Sequence, residues 1–304
     1  MYFRDTIEAI GHTPLVELAQ LSPNRKVKIL AKLEGLSVGG SASIKDRVAK
    51  YMLLKAEQGG QLTRDKTIIE ATSGNTGLGL AWLGNKLGYK VTIVMHDNTS
   101  RETQQLLKIY NAELVLTKAS YGTKGTVDKA REMVAKDNKY FMPDQFSNPA
   151  NPLAHYETTA VEIINDFPYD KVDVLIAGIG TGGTIMGTSR RLKENYPDIT
   201  IIGIQPPSGD AIPGLLSIGE DFVPPILDSS LINERAFITS QQASVAISQL
   251  LDKEGIFAGL SSGAATHQAI KVAGDMDEGN IVVVLPDGGW KYLSQNFWSK
   301  AKHV

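Results

Sequence analysis

Four short stretches of the chain carry residue types that could do chemistry. In Ser41-Ala42-Ser43-Ile44-Lys45-Asp46-Arg47 a lysine follows a glycine pair and falls in the first turn of a helix. A solvated lysine is the commoner fate of this residue type. The positive end of a helix is an unfavourable place for a cation, however, and burial there depresses the amine pKa. Amines depressed in this way form Schiff bases. Ala71-Thr72-Ser73-Gly74-Asn75-Thr76-Gly77 sets hydroxyls and an amide between a strand and a helix. An ordinary N-cap needs only one such residue, so the excess of donors suits a carboxylate. Gly178-Ile179-Gly180-Thr181-Gly182-Gly183-Thr184 also follows a strand and opens a helix, where backbone N–H groups can converge on a phosphate. Glycines 178, 180 and 183 satisfy G-x-G-x-x-G, but the next strand ends at Gln205 rather than at the acid that binds a ribose, and no Walker lysine follows. A monophosphate fits this turn better than a dinucleotide. Gly259-Leu260-Ser261-Ser262-Gly263 matches the short G-x-S-x-G pattern of hydrolase nucleophiles. Its context is poor, since only His267 and His303 lie downstream. Ser261 is open to three readings: a nucleophile, a helix cap, or a polar partner for a bound ring. The five histidines, His12, His96, His155, His267 and His303, show no metal spacing, and each is given an ordinary surface or core role.

These stretches need elements to hold them. Val27–Leu33 reads as a strand, and Ile44, Val48, Tyr51 and Met52 mark one face of a helix stopped by Gly59 and Gly60. Beyond it the pattern alternates: strand Thr67–Glu70, helix Gly77–Leu87, strand Val91–Met95, helix Ser100–Tyr110 with a capping box from Thr99 to Glu102, strand Glu113–Leu116, helix Lys124–Lys136, and a short apolar piece at Tyr140–Met142. After the turn-rich Asp144–Asn151, the expected elements are helix Thr158–Phe167, strand Val172–Ala177, helix Met186–Asn195, strand Thr200–Ile204, helix Ala243–Glu254, a further helix after Gly263 and strand Ile281–Leu285. Alternation of this kind predicts an α/β chain of two domains, each a mostly parallel twisted sheet covered by helices. The boundary falls near residue 147.

Composition narrows the partners. Over 304 residues, 42% are hydrophobic and 21% charged, which supplies a substantial core and excludes disorder. Lys+Arg 31 against Asp+Glu 33 gives a net charge of −2, so no global field draws in nucleic acid or an anionic membrane. A small-molecule partner is expected. The absence of cysteine excludes disulfides, Cys-ligated zinc, iron–sulfur clusters and thiolate nucleophiles. The amino terminus is broken by charges and Pro14, and a cytoplasmic location is expected.

Taken in order, the lysine at a helix start, the TSGNTG loop, the glycine-threonine turn and the GLSSG segment resemble the cysteine synthase family of fold-type-II pyridoxal-phosphate enzymes. The resemblance covers nearly the whole chain. Ile10-Gly11-His12-Thr13-Pro14-Leu15-Val16 is similar to the family's IGxTPLV opening and Lys32-Leu33-Glu34-Gly35 to its KLEG strand. Gln145-Phe146, Asn148-Pro149, His155-Tyr156, Gly255–Gly259 and Gly289–Ser294 resemble the cysteine synthase B, or O-acetylserine sulfhydrylase, type.

This resemblance implies a tryptophan-synthase-β-like fold. Its smaller domain would span 39–147 and carry the carboxylate loop, and its larger one 1–38 plus 148–304 and carry the phosphate turn. It further implies pyridoxal 5'-phosphate as cofactor, a homodimer, and no metal. Lys45 would hold the cofactor as an aldimine and move the α-proton; Asn75 would bond the ring oxygen; Gly180, Thr181, Gly182, Gly183 and Thr184 would bind the phosphate; Ser261 would face the pyridine nitrogen. Thr72, Ser73, Thr76 and Gln145 would take the substrate carboxylate. The implied reaction is β-replacement on an O-activated L-serine, through an aminoacrylate, with a sulfur nucleophile to give L-cysteine. Cystathionine or diaminopropionate synthesis is the nearest alternative; a serine hydrolase using Ser261 and a non-catalytic ligand-binding scaffold are the alternatives of another class. Three departures stand out. The approach Ser37–Ile44 is about two residues longer than the family's NPxGSxKDR pattern, the phosphate turn reads GTGGT as in the A type, and Leu216 stands where the B type carries an arginine. The last favours an uncharged O-acetyl over a phosphate leaving group.

Overall fold

Strands that are hydrophobic on both faces belong inside parallel sheets, and this chain has two sets of them. The computed structural model describes residues 1–72, 74–218, 222–295 and 297–298. The larger sheet has six strands, β1 (Leu15–Glu17), β2 (Val27–Leu33), β7 (Val174–Gly178), β8 (Thr200–Gln205), β9 (Glu234–Phe237) and β10 (Gly279–Leu285), in the order β1-β2-β10-β7-β8-β9. All pairs are parallel except β1 with β2. The smaller sheet is wholly parallel, with β3 (Thr67–Ala71), β4 (Lys90–His96), β5 (Glu113–Thr117) and β6 (Tyr140–Phe141) in the order β5-β4-β3-β6.

Helices cover both faces of each sheet. Around the smaller one lie α1 (Lys45–Gln58), α2 (Asn75–Lys86), α3 (Arg101–Ile109) and α4 (Gly122–Lys136). Around the larger lie α5 (Ala150–Ala154), α6 (Ala160–Asp166), α7 (Gly183–Asn195), α8 (Ser240–Glu254) and α9 (Leu260–Asp275). Ile29, Ala31, Ile281 and Val283 pack on α8 and α9, and Leu175, Ala177, Ile201 and Val282 pack on the opposite side with α6 and α7. Each fully buried Ile, Leu or Val contributes about 1.5–3 kcal/mol.

The predicted elements are found, with informative exceptions at their ends. The cap of α3 is not Thr99 but Ser100, whose side chain accepts from Thr103 N, while the Glu102 carboxylate is taken by Ser294. The helix predicted over Thr158–Phe167 begins eight residues earlier as α5 and reaches α6 through a wide turn at His155–Thr159. Strand β9 escaped notice because only Ala236 of its four residues is buried, as befits a sheet edge. The capping box lies instead on α8, between Thr239 and Gln242.

Candidate active site

Lys45 opens α1 at the end of a loop that is tied down at every turn. Asp46 accepts from Ser41 N and Ser43 N at 3.0 and 3.1 Å, and Ser43 Oγ accepts from Lys45 N at 3.1 Å. Ile44 N donates to Pro286 O at 2.9 Å, and Lys291 Nζ donates to Ser41 O at 2.7 Å. The longer approach is therefore a rigid shelf joining the end of β10 to α1. Two residues on, Arg47 is wholly buried between Glu34 and Glu162, with N–O distances of 2.7 and 2.6 Å, and Lys32 adds a contact to Glu162 at 2.8 Å. Those ion pairs fix α1 against β2 and α6. The Lys45 amine faces the interior cavity and donates to nothing among the described residues. Desolvation pulls it down to about 8, against the nearby Asp287 carboxylate, which raises it.

The loop between β3 and α2 carries the predicted carboxylate residues. Thr72 is held by Val94 O through its N–H, and its hydroxyl accepts from Gly74 N. Thr76 Oγ1 donates to Gln145 Oε1 at 2.7 Å, and Gln145 Nε2 donates to Ala71 O at 2.9 Å. Thr72, Thr76 and Gln145 thus converge on one wall, with the second amide hydrogen of Gln145 left for a ligand. Ser73 lies outside the described residues.

The phosphate turn sits opposite, where β7 ends and α7 begins. Gly182 adopts φ +89°, a left-handed conformation that a side chain would strain. A Cβ on Gly183 would fall 1.9 Å from Asn151 Oδ1, and one on Gly180 would fall 2.5 Å from Gly214 O. Glycine is required at all three for the backbone to turn back on itself. Asn151 Nδ2 donates to Thr181 Oγ1 at 2.9 Å and to Gln145 O at 2.7 Å, so one buried amide joins the two walls. Thr184 Oγ1 lies 3.4 Å from Nε2 of buried His155, whose Nδ1 meets Thr159. The first-turn N–H groups of α7 have no partner within the helix, Gly183 N donating to Thr181 Oγ1 at 3.3 Å, and such a helix start suits an anion. A cleft of about 30 Å³ bounded by Lys45, Gly180, Thr181, Gly182 and Thr184 opens there.

Asp287 was missed by sequence reasoning, and it is the hub of the site. Its buried carboxylate accepts from Asn75 Nδ2 at 2.7 Å and Tyr292 OH at 2.6 Å, with Lys291 Nζ at 3.5 Å. Its other oxygen has no partner among the described residues. Ser261 is buried in the first turn of α9, beside Gly214. Among the described residues no histidine hydrogen-bonds it, so the hydrolase reading finds no base among them. His303 lies outside the described residues.

A cavity of about 510 Å³ runs from Lys45 and Thr181 past Asn75 and Gln145 to Leu216 and His96, with Ser261 and Asp287 outside its lining. Among the described residues Lys45 is the only lysine or arginine on its wall. Arg101, Arg190, Arg191 and Arg235, which could have replaced an arginine at 216, line none of it. No group of three or more His, Asp or Glu among the described residues could hold a metal, and no described helix is long and apolar enough to cross a membrane. Pyridoxal phosphate fits the donor set: a glycine cradle that no Cβ could share, a desolvated amine beside it, and an amide opposite.

Comparison with known proteins agrees. The chain is 39% identical over 300 residues to a cysteine synthase of Staphylococcus aureus (strain Mu50 / ATCC 700699), covering 96% of each. Its structure is similar to O-ureido-L-serine synthase, with a TM-score of 0.92 and 35% identity over 98% of this chain and 96% of the other. It is also similar to a cysteine synthase from Entamoeba histolytica, with a TM-score of 0.90 and 34% identity over 98% and 91%. The family model described as "Pyridoxal-phosphate dependent enzyme" matches residues 7–287, and the chain, which places an amine, a glycine cradle and an amide around one cavity, belongs to that family.

Proposed function

We propose that this enzyme makes L-cysteine by replacing the β-substituent of O-acetyl-L-serine with a sulfur nucleophile. The observation that carries the reading is the cavity itself, whose described wall joins the Lys45 amine to a carboxylate loop and holds no other lysine or arginine. Bound pyridoxal phosphate supplies an electron sink that acidifies the substrate Cα–H and eases loss of the β-substituent. In this reading Lys45 Nζ anchors the cofactor and afterwards carries the Cα proton, a task suited to an amine brought down to about 8. Gly180–Thr184 hold the phosphate, Asn75 the ring oxygen and Ser261 the ring nitrogen. Thr72, Ser73 and Gln145 hold the substrate carboxylate, and Thr76 orients Gln145 through their 2.7 Å hydrogen bond. The neutral Ser261 hydroxyl is a milder partner for the ring than a carboxylate, which suits elimination at Cβ. The segment 39–147, carrying the carboxylate loop, acts as the smaller domain, and the enzyme works as a homodimer.

The leaving group follows from charge. O-Phosphoserine brings close to two extra negative charges, for which an arginine fork contributes about 1.5–3 kcal/mol. Leu216, on the cavity wall, offers nothing comparable. Steady-state rates with sulfide should give a higher kcat/KM for O-acetylserine than for O-phosphoserine, and Leu216→Arg should narrow or reverse the ratio. A wild-type preference for O-phosphoserine would overturn the leaving-group assignment. The similarity to O-ureido-L-serine synthase keeps a second reading in view, in which a non-sulfur acceptor enters the same cavity.

A further inference from the structure

The cavity extends past the carboxylate loop to the carboxyl end of β4, where parallel sheets commonly bind ligands. His96, the last residue of β4, lies on that wall. Its Nδ1 is 3.2 Å from Thr126 Oγ1 on α4, and Thr126 is in turn 3.2 Å from Thr117 Oγ1 at the end of β5. Each of these hydroxyls has a backbone carbonyl for its proton: Thr126 donates to Gly122 O and Thr117 to Met95 O, both at 3.3 Å. The proton shared between His96 and Thr126 comes from the ring when Thr126 gives its own to Gly122 O. In that arrangement Nδ1–H donates, and Nε2 is an acceptor with no hydrogen-bond partner among the described residues. Burial pulls His96 below its ordinary value, opposed only in part by adjacent Asp97, so the ring is neutral at neutral pH.

We propose that His96 is an acceptor-side binding residue, whose Nε2 receives the S–H of a small protonated nucleophile, hydrogen sulfide or a thiol, and discriminates against anionic sulfur donors such as thiosulfate. The inference rests on the β-replacement reading and deepens it. From a residue on this wall, an imidazole lone pair attracts an S–H and repels sulfonate oxygens. A dianion also finds no lysine or arginine there besides Lys45 among the described residues.

The experiment uses the cofactor-loaded enzyme, with active sites counted by visible absorbance, and measures kcat/KM separately for O-acetylserine, sodium sulfide and sodium thiosulfate. In a two-stage replacement these constants report different half-reactions. Wild type is expected to use sulfide far better than thiosulfate. His96→Ala is expected to lose about tenfold in kcat/KM for sulfide, the value of one hydrogen bond, while the constant for O-acetylserine stays put. His96→Gln, which keeps an acceptor near the Nε2 position, is expected to recover most of the loss. An undiminished sulfide constant in His96→Ala, an equal loss for both substrates, or wild-type parity between sulfide and thiosulfate would overturn the inference and leave the β-replacement reading standing. Wild-type enzyme that consumes O-acetylserine but transfers it to no sulfur acceptor would overturn both.

Discussion

Lys45 is pulled two ways, and the balance sets its chemistry. Desolvation lowers the amine to about 8, and the Asp287 carboxylate raises it. A single unit of that balance is worth about 1.4 kcal/mol between the protonation states. Asp287→Asn removes the raising charge while keeping the side chain's shape, so the Lys45 amine should titrate below about 8. The pH dependence of Lys45 acetylation in the cofactor-free protein measures this directly. An unchanged midpoint would show that the carboxylate is electrically silent at the amine. Asn75 is affected by the same substitution, since its amide is oriented by a 2.7 Å bond to Asp287.

At the scale of the element, the segment Ser37–Ile44 matters most. It packs Ser41 Oγ against Ser43 Oγ at 2.7 Å and carries Ala42 at φ +42°. A left-handed conformation costs a residue with a Cβ about 1–2 kcal/mol. The strain persists because Asp46 and Lys291 hold the loop from both sides. Ala42→Gly should therefore raise the unfolding free energy by about 1 kcal/mol, and Ala42→Val should lower it. Urea midpoints of the three proteins provide the check. Destabilisation by glycine would mean that the Ala42 methyl group packs more favourably than its backbone is strained.

Across the whole molecule, α1 is bound to β2 and α6 by Arg47, Glu34, Lys32 and Glu162. Burial alone would raise the Glu162 carboxyl, but hydrogen bonds and charge from Arg47, with Lys32, bring it down to about 2. Its ordinary value is 4.5, so its contribution to stability is complete above pH 4.5 and disappears as pH falls toward about 2. The window should carry on the order of 3 kcal/mol. Glu162→Gln should lower stability at neutral pH by about 3 kcal/mol, because buried Lys32 loses its nearest carboxylate and Arg47 keeps only Glu34, and should flatten the acid limb. Equilibrium unfolding at a series of pH values between 2 and 6 compares the two curves. Parallel curves would mean that other carboxylates govern acid unfolding.

Much of this protein was legible along the chain. Strand and helix periodicity gave β2, β3, β4, β7, β8 and β10, and the glycines that end or open helices marked where loops must turn. Those loops fall at strand carboxyl ends, so the lysine, the hydroxyl loop and the glycine turn were recognisable from residue type and local spacing. Gln145 entered only through resemblance. Other features depended on pairings that no local pattern encodes. Asn75 meets Asp287 across 212 positions and Asn151 meets Thr181 across 30. His96 was given an ordinary surface or core role until β4 and α4 brought it to the cavity wall. The chain determined which segments could fold locally, because periodicity and capping act within a few residues. Tertiary structure decided which buried polar groups became partners, because each must find a hydrogen bond wherever the packing of two sheets brings one within reach.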